Sequence, residues 1–256
     1  MRNTHSIEKL LILLSVFLLS GCYKIMDYWP SQPPAHYRIK SVTFHEEYYG
    51  TYQGNFYYNR SGDPDSVIYG YVGTAFPNLY FSYNSKKQVS EIKAFYTNDG
   101  FDSWHRLGYN PKGLITTDTL YTWGVKYLDP EPSNYHDKII VYFEYDNYNR
   151  ITKATYNWVY PPIPTPFILN YSYNSNGNLV TGYENAQYDN YTNPLTLHPI
   201  WQFLQRNYSI NNPINAVNYN KYRLPLKFDY PYQEVGRFLF LYPERRLDKS
   251  EIVYEK

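Results

Sequence analysis

Tyr145-Asp146-Asn147-Tyr148-Asn149-Arg150-Ile151-Thr152 is an aromatic run closing on Tyr, a short polar turn and the aliphatic start of a new strand. The pattern returns at Tyr173-Asn174-Ser175-Asn176-Gly177-Asn178-Leu179-Val180 and at Tyr83-Asn84-Ser85-Lys86-Lys87-Gln88-Val89-Ser90. It returns more loosely at Tyr109-Asn110-Pro111-Lys112-Gly113-Leu114-Ile115-Thr116. In each unit an aliphatic residue stands six positions after the Tyr. The incoming strands alternate: Leu79, Phe81 and Tyr83 oppose Tyr80 and Ser82, Val141, Phe143 and Tyr145 oppose Tyr142 and Glu144, and Leu169, Tyr171 and Tyr173 oppose Asn170 and Ser172. Period-two alternation marks half-buried strands. Asn and Gly tolerate positive φ, and Asn and Asp side chains bond backbone two residues on. Each unit therefore reads as a β-hairpin. Tyr58 to Val67 reads as a unit with a longer turn, and Tyr219 to Leu224 as a degenerate last one.

These residues resemble the tyrosine-aspartate repeats of the RHS family. That pattern is Tyr-Asp, two variable residues, Gly-Arg and an aliphatic residue. Residues 145–152 follow it with Asn149 in the Gly position, and the other units carry Asn for Asp. The resemblance spans roughly residues 56–183. It implies a β-repeat domain similar to those of small Bacteroidota lipoproteins, most of which have no assigned function. The units are too few to wind the closed shell of the large RHS proteins.

The unequal steps between units fit a meander with loop insertions better than a solenoid of fixed period. The expected fold is all-β: an antiparallel meander of hairpin repeats, twisted and curled, with one short helix near residues 196–206. Leu197, Ile200, Trp201 and Leu204 carry the helical spacing. Its Trp is expected to pack on a sheet face or end. Arg38 to Phe44 starts the sheet. Asn98-Asp99-Gly100 reads as a turn, and Pro130 and Pro132 as a break. Pro161 to Pro166 reads as a long hairpin loop. Arg237 to Tyr242 is the most apolar strand of the C-terminal part, and Ile252 to Tyr254 reads as a last strand. The expected organisation is a signal segment over 1–21, a tether over 22–37, and one β-repeat domain over 38–256 with a helical insertion about 194–210. The 34 Tyr suit an open sheet, because a ring fills a half-buried surface while its hydroxyl stays wet.

Arg2 and Lys9 precede an apolar run from Leu10 to Leu19. That run is half the roughly 20 residues a spanning helix needs, so it reads as a removed signal. Leu19-Ser20-Gly21-Cys22 resembles a bacterial lipobox. The resemblance implies cleavage before Cys22 and acylation of its thiol and new amino terminus. Cys22 is the one cysteine of the chain. The expected address is the outer membrane, lipid-anchored, with the periplasmic and outer faces both open. Trp29-Pro30-Ser31-Gln32-Pro33-Pro34 reads as a semi-rigid spacer. The charge is close to balanced, with 24 Lys and Arg against 23 Asp and Glu, so no basic stripe points to nucleic acid.

The candidate chemistry is sparse. His45-Glu46-Glu47 and His136-Asp137 set metal-ligand types side by side, but neighbours in a strand point to opposite faces. Asp99-Gly100-Phe101-Asp102 and Asp63-Pro64-Asp65 lack the ligand spacing of an EF-hand and read as turns. No metal and no cofactor is expected. No Gly-x-Ser-x-Gly motif occurs, and a hydrolase would rest on carboxylate pairs drawn from Asp118, Glu144 and Glu184. Trp104, Trp123 and Trp158 are candidates for stacking on sugar rings. Asp65-Ser66-Val67 and Asp118-Thr119-Leu120 resemble the triplet used for periplasmic O-glycosylation in Bacteroidota, with Ser66 and Thr119 as acceptors. A transmembrane barrel needs strands of about 9–11 residues, longer than the pattern suggests. The first expectation is a non-enzymatic, membrane-tethered β-module contacting another envelope component. A glycan-binding lipoprotein comes second and an unrecognised hydrolase third.

Overall fold

The computed structural model describes residues 37–46, 50–70, 77–96, 100–125, 134–181, 187–213, 216–229 and 247–256. The strands are β1 (Arg38–Glu46), β2 (Gly50–Tyr58), β3 (Pro64–Tyr69), β4 (Asn78–Tyr83) and β5 (Val89–Phe95). They continue as β6 (Gly100–Tyr109), β7 (Ile115–Val125), β8 (Asp137–Tyr145), β9 (Ile151–Tyr160) and β10 (Phe167–Asn170). A 3₁₀ turn, Pro194–Leu197, and the helix α1, Pro199–Gln205, lie between β11 (Tyr188–Thr192) and β12 (Asn211–Pro213). The chain closes with β13 (Ala216–Tyr219), β14 (Pro225–Asp229) and β15 (Leu247–Glu255). Thirteen strands form one antiparallel sheet that runs in sequence order from β10 back to β1 and then through β15 and β14 to β13. The sheet is open, an all-β meander with one short α-helix, as the repeat pattern requires. The lipobox, the tether up to residue 36, the Asn98-Asp99 turn, the Pro130 break and the Arg237–Tyr242 stretch lie outside the described residues.

Six connections share one turn. In each, the Asx residue after the Tyr accepts two backbone N–H bonds on its Oδ1, from the residues two and four positions on. Asn84 accepts from Lys86 and Gln88, and Asp146 from Tyr148 and Arg150. Asn59, Asn110, Asn174 and Asn220 do the same. The residue three positions after each Asx is left-handed: Gly62, Gly113 and Gly177 at φ 79–86°, and Lys87, Asn149 and Arg223 at 60–61°. This is a type I turn with a G1 bulge, which pairs the Tyr with the residue six positions on. Tyr83 thus faces Val89, Tyr109 faces Ile115, Tyr145 faces Ile151 and Tyr173 faces Leu179. The expectation of a longer turn after Tyr58 is corrected: Tyr58 faces Pro64, and Tyr219 likewise faces Pro225. Proline takes the aliphatic place in both units, which hid their match to the pattern.

The tyrosines also join one unit to another. Tyr83, Tyr109, Tyr145 and Tyr173 donate their hydroxyls to the carbonyls of Pro64, Val89, Ile115 and Ile151. Each acceptor is the residue paired with the Tyr of the preceding turn. Tyr188 donates to Leu179 and Tyr254 to Pro225, so all six such carbonyls are occupied. A net hydrogen bond contributes about 0.5–1.5 kcal/mol, and an orphaned buried acceptor costs more. Part of the Tyr content is thus a ladder of latches.

Burial pushes the Tyr109 and Tyr145 phenols up to about 12 and raises those of Tyr58 and Tyr173 too. Below the ordinary value of 10, both folded and unfolded chains hold these protons, and the latches contribute fully. As pH rises past 10 the unfolded chain releases protons that the folded chain keeps, so stability falls until about 12. Phenolate absorbance and far-UV circular dichroism are expected to change together and cooperatively in that window. Smooth phenol titration with intact dichroism contradicts the ladder.

One face of the sheet is the core. Val42, Phe44, Phe56, Val67, Phe81, Ile92, Ile139, Val141 and Phe143 meet Leu195, Ile200, Trp201 and Phe203. Trp201 is 1% exposed and lies edge-on to Phe56 and Phe81, at centroid distances of 5.4 and 5.7 Å. α1 starts at Pro199, later than the 196 expected. Proline disfavours helix in the residue before it, so His198 is extended and caps the helix instead. Phe203 is buried while Leu197 and Leu204 are half-buried. β1 does not end the sheet: β15 pairs along its far side, Val42 opposite Ile252. β10 does end it, and its four residues are all exposed, so the Leu169 alternation buries nothing there.

Candidate functional site

The face away from α1 carries a row of cross-strand partners. Tyr57 pairs with Ser66, Ser66 with Tyr80, Tyr80 with Lys93 and Lys93 with Trp104. Trp104 pairs with Tyr121, Tyr121 with Lys138 and Lys138 with Tyr160. The row crosses eight strands from β2 to β9. Successive strands lie about 4.8 Å apart, so it is roughly 34 Å long. Its centre is a small second core of Phe95, Phe101, Trp104 and Tyr121. Cations seal that core: Lys93 Nζ sits 4.0 Å from the Trp104 ring centroid, and Arg106 lies over Trp104 and Tyr121. Glu91 ties the group together through Trp104 Nε1, Arg106 and Lys93. Burial opposes ionisation of Glu91, but these donors outweigh it and hold the carboxyl below its usual range. The ends of the row are open, with Tyr57 51% and Tyr160 42% exposed.

The structure does not bring the three Trp candidates together. Trp104 is 4% exposed at the middle of the outer face. Trp158 pairs with Ile139 and packs half-buried against the core of the opposite face. Trp123 is 54% exposed, with the Tyr96 ring 6.3 Å away. Ser66 is buried, its hydroxyl 3.3 Å from Asp65 Oδ2. Thr119 is half-buried on β7 between Arg106 and Ile140. Cys22 and Glu184 lie outside the described residues. Glu144 is exposed and paired to Lys153, whereas Asp118 is buried on the other face, so these two carboxylates cannot act on one bond. His45 bonds Thr51, and His136 pairs with Asp137. Among the described residues no group of three His, Cys, Asp or Glu side chains is placed to hold a metal.

Asp118 belongs to a buried charge cluster that pattern reading missed. It is fully buried, with His105 Nδ1 at 2.9 Å and Arg206 Nη2 at 3.7 Å from its Oδ2. Arg206 caps α1 in the left-handed region and lies between the Phe143 and Phe203 rings. A signal was present: Asp118 stands two before Leu120 on the inward side of β7, where a lone carboxylate demands a partner.

A second concave feature lies where the repeat turns meet α1. This cleft of about 470 Å³ is lined by Asp63, by Lys87 and Gln88, by Leu114, by Tyr148 and Asn149, and by α1. Each of those pairs or single residues comes from a different turn, so four hairpins build it. His198 Nδ1 accepts the Ile200 N–H at 3.2 Å, which leaves the ring proton on Nε2, 3.6 Å from Asp63 Oδ1. Burial lowers the His198 pKa, against the pull of Asp63, so the ring is neutral at pH 7. The arrangement offers hydrogen bonds and apolar surface, and its His–Asp pair has no hydroxyl of Ser or Thr and no Cys thiol among the described lining residues.

No protein-family model matches the chain, and no curated protein matches it in sequence.

Proposed function

We propose that the protein is a non-enzymatic, outer-membrane-anchored lipoprotein whose β-repeat sheet contacts another component of the cell envelope. The observation that carries this reading is the aromatic and cationic row from Tyr57 to Tyr160 on the face that α1 leaves uncovered. Aromatic residues and Arg supply most binding hot spots, and a stable interface needs about 800 Å² per partner. The row crosses eight strands of one sheet and exposes Tyr57, Tyr80 and Tyr160 along it. Tethering by Cys22 keeps the face near its partner. Among the described residues no helix is long and apolar enough to cross a membrane.

Pull-down from native membranes with the lipidated protein tests the contact. The wild type is expected to recover one envelope component. The doubly substituted Tyr57→Glu, Tyr80→Glu protein, altered at exposed positions, is expected to recover at least tenfold less with unchanged circular dichroism. Equal recovery by both proteins ends the reading. Cys22→Ser is expected to abolish fatty-acid labelling and release the protein from the membrane fraction.

A further inference from the structure

We infer that the cleft between the repeat turns and α1 is a binding site for a neutral saccharide of one or two rings. The cleft's volume of about 470 Å³ lies within the 300–1,000 Å³ usual for ligand sites. Its floor is apolar, with Val89, Ile115, Ile200 and Phe203. Its rim is made of amides and hydroxyls. The side-chain amides of Gln202 and Asn149 and the Tyr148 hydroxyl make no hydrogen bond to a described residue. Gln88 spends its Oε1 on Asn84 and keeps its amide N–H groups at the cleft wall. Tyr148 is 79% exposed at its turn tip and presents a ring to the opening.

The ligand class follows from that inventory. Amides donate and accept at once, which suits hydroxyls that also do both. A sugar ring adds an apolar face for the aromatic wall. The fixed charges, Asp63 and Lys87, are one of each sign, so the cleft has no preference for an ion. A proline-rich peptide docks in aromatic-lined grooves and is the competing occupant, but beyond Tyr148 the cleft's phenols have little to offer it. Here the Tyr83, Tyr109 and Tyr145 hydroxyls are already committed to the latch carbonyls. The site lies at the turn end of the sheet and stands apart from the outer-face row, so each can fail without the other.

The test is calorimetric titration of the full chain in detergent with maltose, cellobiose and diacetylchitobiose, and with a proline-rich peptide. Saturable binding of at least one sugar is expected. Gln202→Leu keeps the bulk and removes the amide, and is expected to weaken binding at least tenfold. Asn149→Gly removes a second amide while relieving a left-handed backbone, so weaker binding by it cannot reflect unfolding. Tyr57→Glu, Tyr80→Glu is expected to bind sugar as the wild type does. The inference is overturned if no sugar saturates at millimolar concentration, if Gln202→Leu and Asn149→Gly bind undiminished, or if the peptide binds and excludes sugar.

Discussion

Arg206→Met is expected to destabilise the protein by about 3–5 kcal/mol, read as a lowered urea midpoint at unchanged slope. Asp118 is fully buried, and Arg206 is its permanently charged partner. Methionine keeps the stem between Phe143 and Phe203 but leaves the carboxylate with His105 alone. Asp118 Oδ1 already lacks a hydrogen-bond partner among the described residues, so no second donor is at hand. Removing one partner of a buried pair costs far more than replacing both by apolar groups. Asp118→Leu added to Arg206→Met is therefore expected to recover at least half of the loss. If the double variant is less stable than Arg206→Met alone, the cluster is not the cause.

Trp201→Ala is expected to cost about 3–5 kcal/mol, the range for deleting a large buried aromatic side chain. Among the described residues Trp201 is the largest fully buried side chain, and with Phe203 it holds α1 against the sheet. α1 has seven residues, too short to be helical without tertiary packing. The void would open between Phe56 and Phe81, which come from different hairpins, so little can close it. Trp201→Phe retains an edge-on ring contact and is expected to lose less than half as much. Urea unfolding followed by far-UV circular dichroism separates the two. A loss below about 1 kcal/mol for the alanine variant means that α1 does not brace the sheet.

The two variants divide what was legible in the chain from what was not. The turns were readable because their whole mechanism lies within five residues: an Asx acceptor, two N–H donors and a left-handed position. Alternation of Phe81 with Tyr80, or Phe143 with Tyr142, was readable because burial follows the pleat. Even the residue six positions after each Tyr was visible, since the bulge sets that register locally. The 3.6-residue spacing around Trp201 located the helix, though it placed Leu197 inside and missed Phe203. Pro199, a local signal, could have corrected the start.

The remaining features depend on chain segments that meet only after folding. β15 adds to β1 with Arg38 bonding Glu255, 217 residues apart in sequence, and no local pattern encodes that neighbour. The Asp118 cluster draws His105, Asp118 and Arg206 from two strands and a helix end. The opposite-face positions of Trp104 and Trp158 follow from bulges that reset alternation strand by strand. The cleft exists because four turns of one kind lie side by side and α1 folds back over them. The sequence by itself determined the hairpin, since a hairpin is closed by hydrogen bonds between near neighbours. Only the tertiary structure decided which tyrosine latches which carbonyl, which charges share a burial site and where a ligand can enter, because each depends on the stacking order of the hairpins.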